Sequence, residues 1–225
     1  HRDRRPVRDL GGRLNVARLG RGYPNTALPR RPPTVPVVFD ALGAGLKTTS
    51  ASGSYAHVNA GSVVLASVFT VGTAPAVTFG GTSMPQLASV TGITTGSKTS
   101  NLFVFGLMRP ATGSQTMAAS GLSTNSSVNT VSYLNAAGLG TAVAVGASTS
   151  STVSMTVAAL PGQMVFQTFG DCGSGYNQTL RWNAYASGIA WWCDVGDAPG
   201  ASTITFTDTL QSSQWGGIAV PIIAA

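Results

Sequence analysis

The chain has 225 residues and a pI near 9.9, yet only 9% of its residues are charged, against about a quarter in an average soluble domain. Its basicity is local: Arg2, Arg4, Arg5, Arg8, Arg13, Arg18, Arg21, Arg30 and Arg31 against Asp3 and Asp9 give residues 1–34 a charge of +7, while four cations against five aspartates give residues 35–225 a charge of −1. A near-neutral body without any Glu excludes a folded basic platform for nucleic acid, and no apolar run reaches the roughly 18 residues of a membrane-spanning helix.

Residues 1–34 read as an Arg- and Pro-rich anchoring arm. No apolar segment follows its basic start, so it is not a secretory signal, and its prolines argue against a mitochondrial-type presequence. The chain opens on His1 and not on Met, which predicts that residues precede it. Asn15 to Leu19 is the one short stretch with a helical stripe. Arg30-Arg31-Pro32-Pro33-Thr34-Val35-Pro36 is a stiff extended connector.

From Val35 the apolar pattern has period two, with turn residues every 8 to 15 positions, which predicts an antiparallel sandwich or barrel. Val35 to Asp40 opens it and Ser54 to Val58 is a polar strand. Ser62 to Val71 is almost continuously apolar and predicts a central strand buried on both faces. Ala76 to Phe79 meets a Gly80-Gly81 turn, and Gln86 to Val90 returns. Asn101 to Met108 is a second core strand. Ser114 to Ala119, Val128 to Leu134, Thr152 to Val157, Gln163 to Phe169, Thr179 to Tyr185, Gly188 to Cys193, Ser202 to Phe206 and Gly216 to Ile223 bring the count to about a dozen strands. The predicted core holds Phe103, Phe105, Val64 and Phe79, with Leu65 and Leu107 beside them.

Chemistry is sparse. Cys172 and Cys193, with only His1 and His57 as histidines, cannot supply a zinc ligand set by spacing. They read either as buried small hydrophobes or as a disulfide between neighbouring strands. A glycosidase would need two facing aspartates among Asp171, Asp194 and Asp197, and a Ser or Cys nucleophile would need His57 as base. His57 sits in a polar strand and is expected to face solvent. Gly43-Ala44-Gly45 lacks the Lys and helix of a phosphate loop and reads as a turn. No enzyme activity, metal or cofactor is expected.

The order of pieces carries a resemblance. Val37-Val38-Phe39-Asp40-Ala41 is followed by Val63-Val64-Leu65-Ala66. Val77-Thr78-Phe79-Gly80-Gly81-Thr82-Ser83-Met84 leads to a strand ending in Arg109-Pro110-Ala111-Thr112-Gly113. Trp215-Gly216-Gly217-Ile218-Ala219-Val220 closes the chain. Residues 35–225 in this order resemble a β-sandwich domain of tailed-phage virion proteins, especially minor tail proteins of phages that infect actinobacteria. The resemblance implies an all-β, jelly-roll-like sandwich with a structural role in a virion, the arm anchoring it to other virion proteins, and an oligomer. It brings no catalytic residue. Nucleic acid is the less favoured partner for the arm.

Gly170 to Asp197 departs from that pattern by gathering Tyr176, Trp182, Tyr185, Trp191 and Trp192. Aromatic faces flanked by Asp and Asn suit stacking on sugar rings, so a host-surface glycan adhesin is an alternative function, as is capsid decoration. The favoured expectation is that these side chains fill the core or an interface.

Overall fold

The computed structural model describes residues 34–225 except 96–97, 124, 174, 187–188 and 211–213, and Thr34–Ala225 forms one compact unit. The arm, its nine arginines and the Asn15 to Leu19 stripe lie outside the described residues. The body is all-β, with no helix among the described residues. Its strands are β1 (Val38–Leu42), β2 (Leu46–Thr48), β3 (Ser52–Asn59), β4 (Val63–Thr70), β5 (Ala76–Phe79), β6 (Thr82–Ser83), β7 (Gln86–Thr95), β8 (Lys98–Met108) and β9 (Gly113–Ser120). There follow β10 (Ser126–Leu134), β11 (Ala136–Leu139), β12 (Val143–Ser148), β13 (Thr152–Val157), β14 (Met164–Gly170), β15 (Thr179–Ala186), β16 (Ile189–Pro199), β17 (Ile204–Thr209) and β18 (Trp215–Ala224).

The expected sandwich is present, and it occurs twice. In the first half an inner sheet runs β1-β10-β4-β8-β7, with β2 also on β10, and an outer sheet runs β3-β9-β5-β6. In the second half the inner sheet runs β11-β18-β14-β16-β15, with β12 also on β18, and the outer sheet is β13-β17. The two orders are one pattern repeated, a jelly roll in each half, except that the second roll lacks counterparts of β5 and β6. Register agrees as well: β7 is bulged between Gln86 and Ala88 opposite β8, and β15 between Leu180 and Trp182 opposite β16.

The inner sheets face each other, so both are buried on two sides. Every residue of β4 is buried, as its continuous apolar run predicts. Alternation sends Val64, Ala66 and Val68 to a cluster with Phe79, Phe103, Phe105 and Met117 under the outer sheet. Val63, Leu65 and Phe69 go the other way, to a cluster with Phe166, Val195, Ile218 and Val220 of the second roll. Leu65 therefore belongs to the core between the rolls and not beside Phe105. Val153, Met155, Val165, Phe169, Phe206 and Trp215 fill a third cluster under β13-β17.

Val63 pairs with Tyr133 and Met108, as Met164 pairs with Ile222 and Pro199. Position 67 thus matches 168, and these two residues meet: Ser67 Oγ and Thr168 Oγ1 are 2.8 Å apart. They mark a local two-fold axis. Around it, matched positions are complementary in size. Phe69 matches Gly170, and a Cβ on Gly170 would lie 2.7 Å from the Phe69 ring, so the glycine makes room for its counterpart.

The two ends of the seam also match in position and differ in chemistry. At one end Arg181 forms a bidentate pair with Asp197 (2.8 and 3.0 Å), Tyr133 Oη donates to Asp197 Oδ2 (3.1 Å), and the guanidinium lies 3.8 Å above the Phe39 ring. The matched positions at the other end are Leu87, Gly106, Ile222 and Leu139. There a Cβ on Gly106 would fall 2.7 Å from Leu87 and 2.9 Å from Leu139.

Candidate functional site

The segment from Gly170 to Asp197 occupies the part of the second roll where the pattern breaks. In the first roll Ala66, Phe103 and Phe105 form an apolar floor beneath the outer sheet. Their matched positions are Gln167, Asp194 and Gly196, all buried. In place of β5 and β6, the chain leaving β14 runs beside β17. Gly173 N donates to Thr209 O (3.2 Å) and Asn177 N to Thr207 O (3.2 Å). Asn177 Oδ1 accepts from Thr207 N (2.8 Å) while its Nδ2 donates to Thr205 O (2.9 Å), which caps the open edge of β17. Asp171 turns the chain with a φ of 63°, a region that Asp tolerates better than most residues.

Three buried carboxyls converge here from different elements: Asp171 after β14, Asp194 on β16 and Asp208 on β17. Asn183 Nδ2 donates to Asp194 Oδ1 (2.5 Å), and Asp208 Oδ1 accepts from Gly175 N (3.0 Å) and Thr209 N (2.6 Å). Burial first, then a hydrogen bond with Asp208 and that group's charge, pushes the Asp194 carboxyl up to about 9. Among the described residues no group of three or more His, Cys, Asp or Glu side chains is arranged to hold a metal ion.

The cysteines are free thiols in different cores. Cys172 lies in the cluster under β13-β17, and Cys193 in the cluster between the rolls. The disulfide alternative is thereby corrected, because the two side chains pack on opposite sides of the β14-β16 sheet. Burial, then the nearby aspartates, pushes the Cys172 thiol well above its usual range. Burial also lifts Cys193 to about 11, against hydrogen bonds from Thr168 and Ser67. Neither is a thiolate nucleophile at neutral pH.

His57 is corrected too. It is 1% exposed and not solvent-facing. Its Nδ1 lies 2.7 Å from Thr130 Oγ1 and its Nε2 3.1 Å from Ser132 Oγ, and the ring meets Phe79 edge-on. Ser132 Oγ donates to Asp40 Oδ2 (2.7 Å). The serine thus stands between acid and imidazole, the reverse of the order in which an aspartate orients a histidine base toward a nucleophile. Desolvation lowers the imidazole pKa, with the Asp40 charge acting in the opposite sense.

None of the three candidate aromatic residues whose side chains are described is fully exposed. Trp182 packs against the core between the rolls, its ring within 3.0 Å of where a Cβ on Gly45 would stand. Tyr176 and Trp192 are half-buried, and the side chains of Tyr185 and Trp191 lie outside the described residues. Of the aspartates considered for a glycosidase pair, Asp197 is bound to Arg181 on the opposite face of the sheet from Asp194. The sequence reading missed Asp208, Gln167 and Asn183. A signal for Asp208 was present: alternation from Phe206 in β17 places it on the core face. No known protein family matches the chain, and no curated protein and no solved structure matches it either.

Proposed function

We propose that the protein is a non-enzymatic structural component of a phage virion, a minor tail or tail-tip protein anchored by its N-terminal arm. The observation that supports this reading is the position of the body's exposed apolar surface. Val35, Val38, Leu160 and Ile223 are among its large exposed hydrophobic side chains. Backbone bonds bring their segments together: Val35 N donates to Ala225 O (3.1 Å), Val37 N to Gly162 O (2.8 Å) and Gln163 N to Leu160 O (3.0 Å). The chain passes into the basic arm at this end, so an apolar docking patch and a cationic anchor are joined there.

The outer faces elsewhere suit display. Apart from the exposed Val58, outward positions of β3 and β9 carry Ser52, Ser54, Ala56, Ser114, Thr116 and Ser120, small and uncharged. The same features support capsid decoration as a second placement within a particle. The glycan-adhesin alternative is weakened at Trp182, which is half-buried and packs against the core between the rolls.

Immunogold labelling of purified particles with an antibody to residues 34–225 tests the proposal. Labelling at one location on the particle is expected, and a chain lacking residues 1–33 should fold yet be missing from particles. Full-length chain found only in the soluble fraction of infected cells overturns the reading.

A further inference from the structure

The second roll closes its outer layer with carboxyl groups where the first uses aromatic side chains. Phe103 and Phe105 hold the first outer sheet by apolar contact. At the matched positions stand Asp194, a buried carboxyl acted on by the buried Asp208 of β17, and Gly196, which has no side chain. We infer that Asp194 and Asp208 act as a proton-held clasp: the proton carried by the Asp194 carboxyl, donated toward Asp208, fastens β17 and residues Gly175–Gln178 to the inner sheet of the second roll, and its loss loosens them.

Asp208 is well placed to transmit the effect, since its Oδ1 holds Gly175 N and Thr209 N. Asp194 is fixed from β15 by Asn183. The groups acting on the Asp194 carboxyl are Asp208 and Asn183, with no cation among them. Asp171 and Cys172 add further acidic groups from the chain after β14. Cys193, the neighbour of Asp194 on β16, points to the other face, as does Arg181, which is engaged with Asp197. Two ionised carboxylates in this setting would repel, and burial would oppose both charges.

An independent feature makes the layer dependent on this contact. Gln167, fully buried, faces the same layer beside Gly196, and neither its amide oxygen nor its nitrogen has a hydrogen-bond partner. The same holds for the Gln178 amide, whose Cγ lies 2.7 Å from where a Cβ on Gly196 would stand. Unsatisfied buried amides oppose closure, so the carboxyl pair carries a larger share of the fastening.

Hydrogen exchange of the full chain between pH 5 and pH 10 tests the clasp. Asp194 is pushed up to about 9 in the closed layer and returns toward the ordinary value of about 4 when the layer opens. Protection of the Gly175, Asn177 and Thr207 amides is therefore greatest at acid pH. It falls by up to about tenfold per pH unit as pH rises toward 9 and levels off above it. The Gly106 amide of the first roll, bonded to Pro85 O, should show no such fall. Asp194→Asn, whose amide still donates to Asp208, should keep protection flat across the range. Asp208→Asn leaves Asp194 buried and titrating but lets its carboxylate accept from the new amide, so the fall should be shallower than in wild type, and this variant reads the effect if Asp194→Asn fails to fold. Wild-type protection that does not fall, a fall that persists in Asp194→Asn, or one as steep in Asp208→Asn as in wild type overturns the clasp. So does a calcium-dependent gain in protection at pH 7 that both variants lose, because the carboxyls would then hold a cation in place of a proton.

Discussion

His57 shows how one buried side chain sets a pH dependence for the fold. The imidazole is neutral, hydrogen-bonded to Thr130 and Ser132, and desolvation lowers its pKa. A folded-state value below the unfolded one of about 6.5 gives stability that is fully present above that unfolded value and is lost as pH falls through the lowered one. Asp194 acts in the opposite sense, since its raised value favours the fold toward acid pH. Comparing wild type with His57→Gln isolates the imidazole: below pH 6.5 the melting temperature of wild type should drop more steeply than that of the variant. Parallel pH profiles would show that His57 does not titrate with unfolding. The sequence placed His57 in a polar strand and expected exposure, because its neighbours Ser54 and Asn59 are polar. Alternation puts it on the inner face, where hydroxyls of β10 satisfy it.

At the scale of elements, the strand β8 carries the most direct test of the core. Phe103 and Phe105 are each 3% exposed and meet with ring centroids 6.4 Å apart. Phe105→Ala should cost about 3–5 kcal/mol by urea unfolding, and a variant as stable as wild type would contradict this packing. The strands that were legible are those with strong alternation or continuous apolar runs. Ala76–Phe79 and Thr152–Val157 match their predicted ends, and within the predicted Ser62 to Val71 the strand Val63–Thr70 is buried on both faces as expected. The strands β2, β6, β11 and β12 were missed because they are short or rich in Ala and Gly, with no contrast between faces. The repeated order was hidden for a different reason. Matched positions hold Phe103 and Asp194, Phe69 and Gly170, Gly106 and Asp197, so what recurs is backbone pairing, not side-chain type. The density of Asp and aromatic residues from Gly170 to Asp197 did mark where the second roll departs from the first. It could not show that the reason is an absent pair of strands.

For the whole molecule, the seam between the rolls decides how it unfolds. Each inner sheet buries one face against the other roll, so neither can leave without exposing that core. All four tryptophans, Trp182, Trp191, Trp192 and Trp215, are carried by the second roll, and their fluorescence reports mainly on that half, with Trp182 also sensing the first across the seam. Far-ultraviolet circular dichroism reports on both halves. The two signals should therefore trace one coincident urea transition. A fluorescence midpoint displaced from the dichroism midpoint would mean that the rolls unfold separately and that the seam is weaker than its burial suggests.

The aspartates of the body have a consequence for assembly. Asp171, Asp194, Asp197 and Asp208 are all buried, and Asp40 is half-buried, with one carboxyl oxygen accepting from Ser132 Oγ and Ala60 N. Lys47 and Lys98 are exposed. The outside of the body is thus almost without negative charge, and the nine arginines of a neighbouring arm would meet no acidic row on it. An arm exchanged between like copies would find no row of exposed carboxylates among the described residues to pair with.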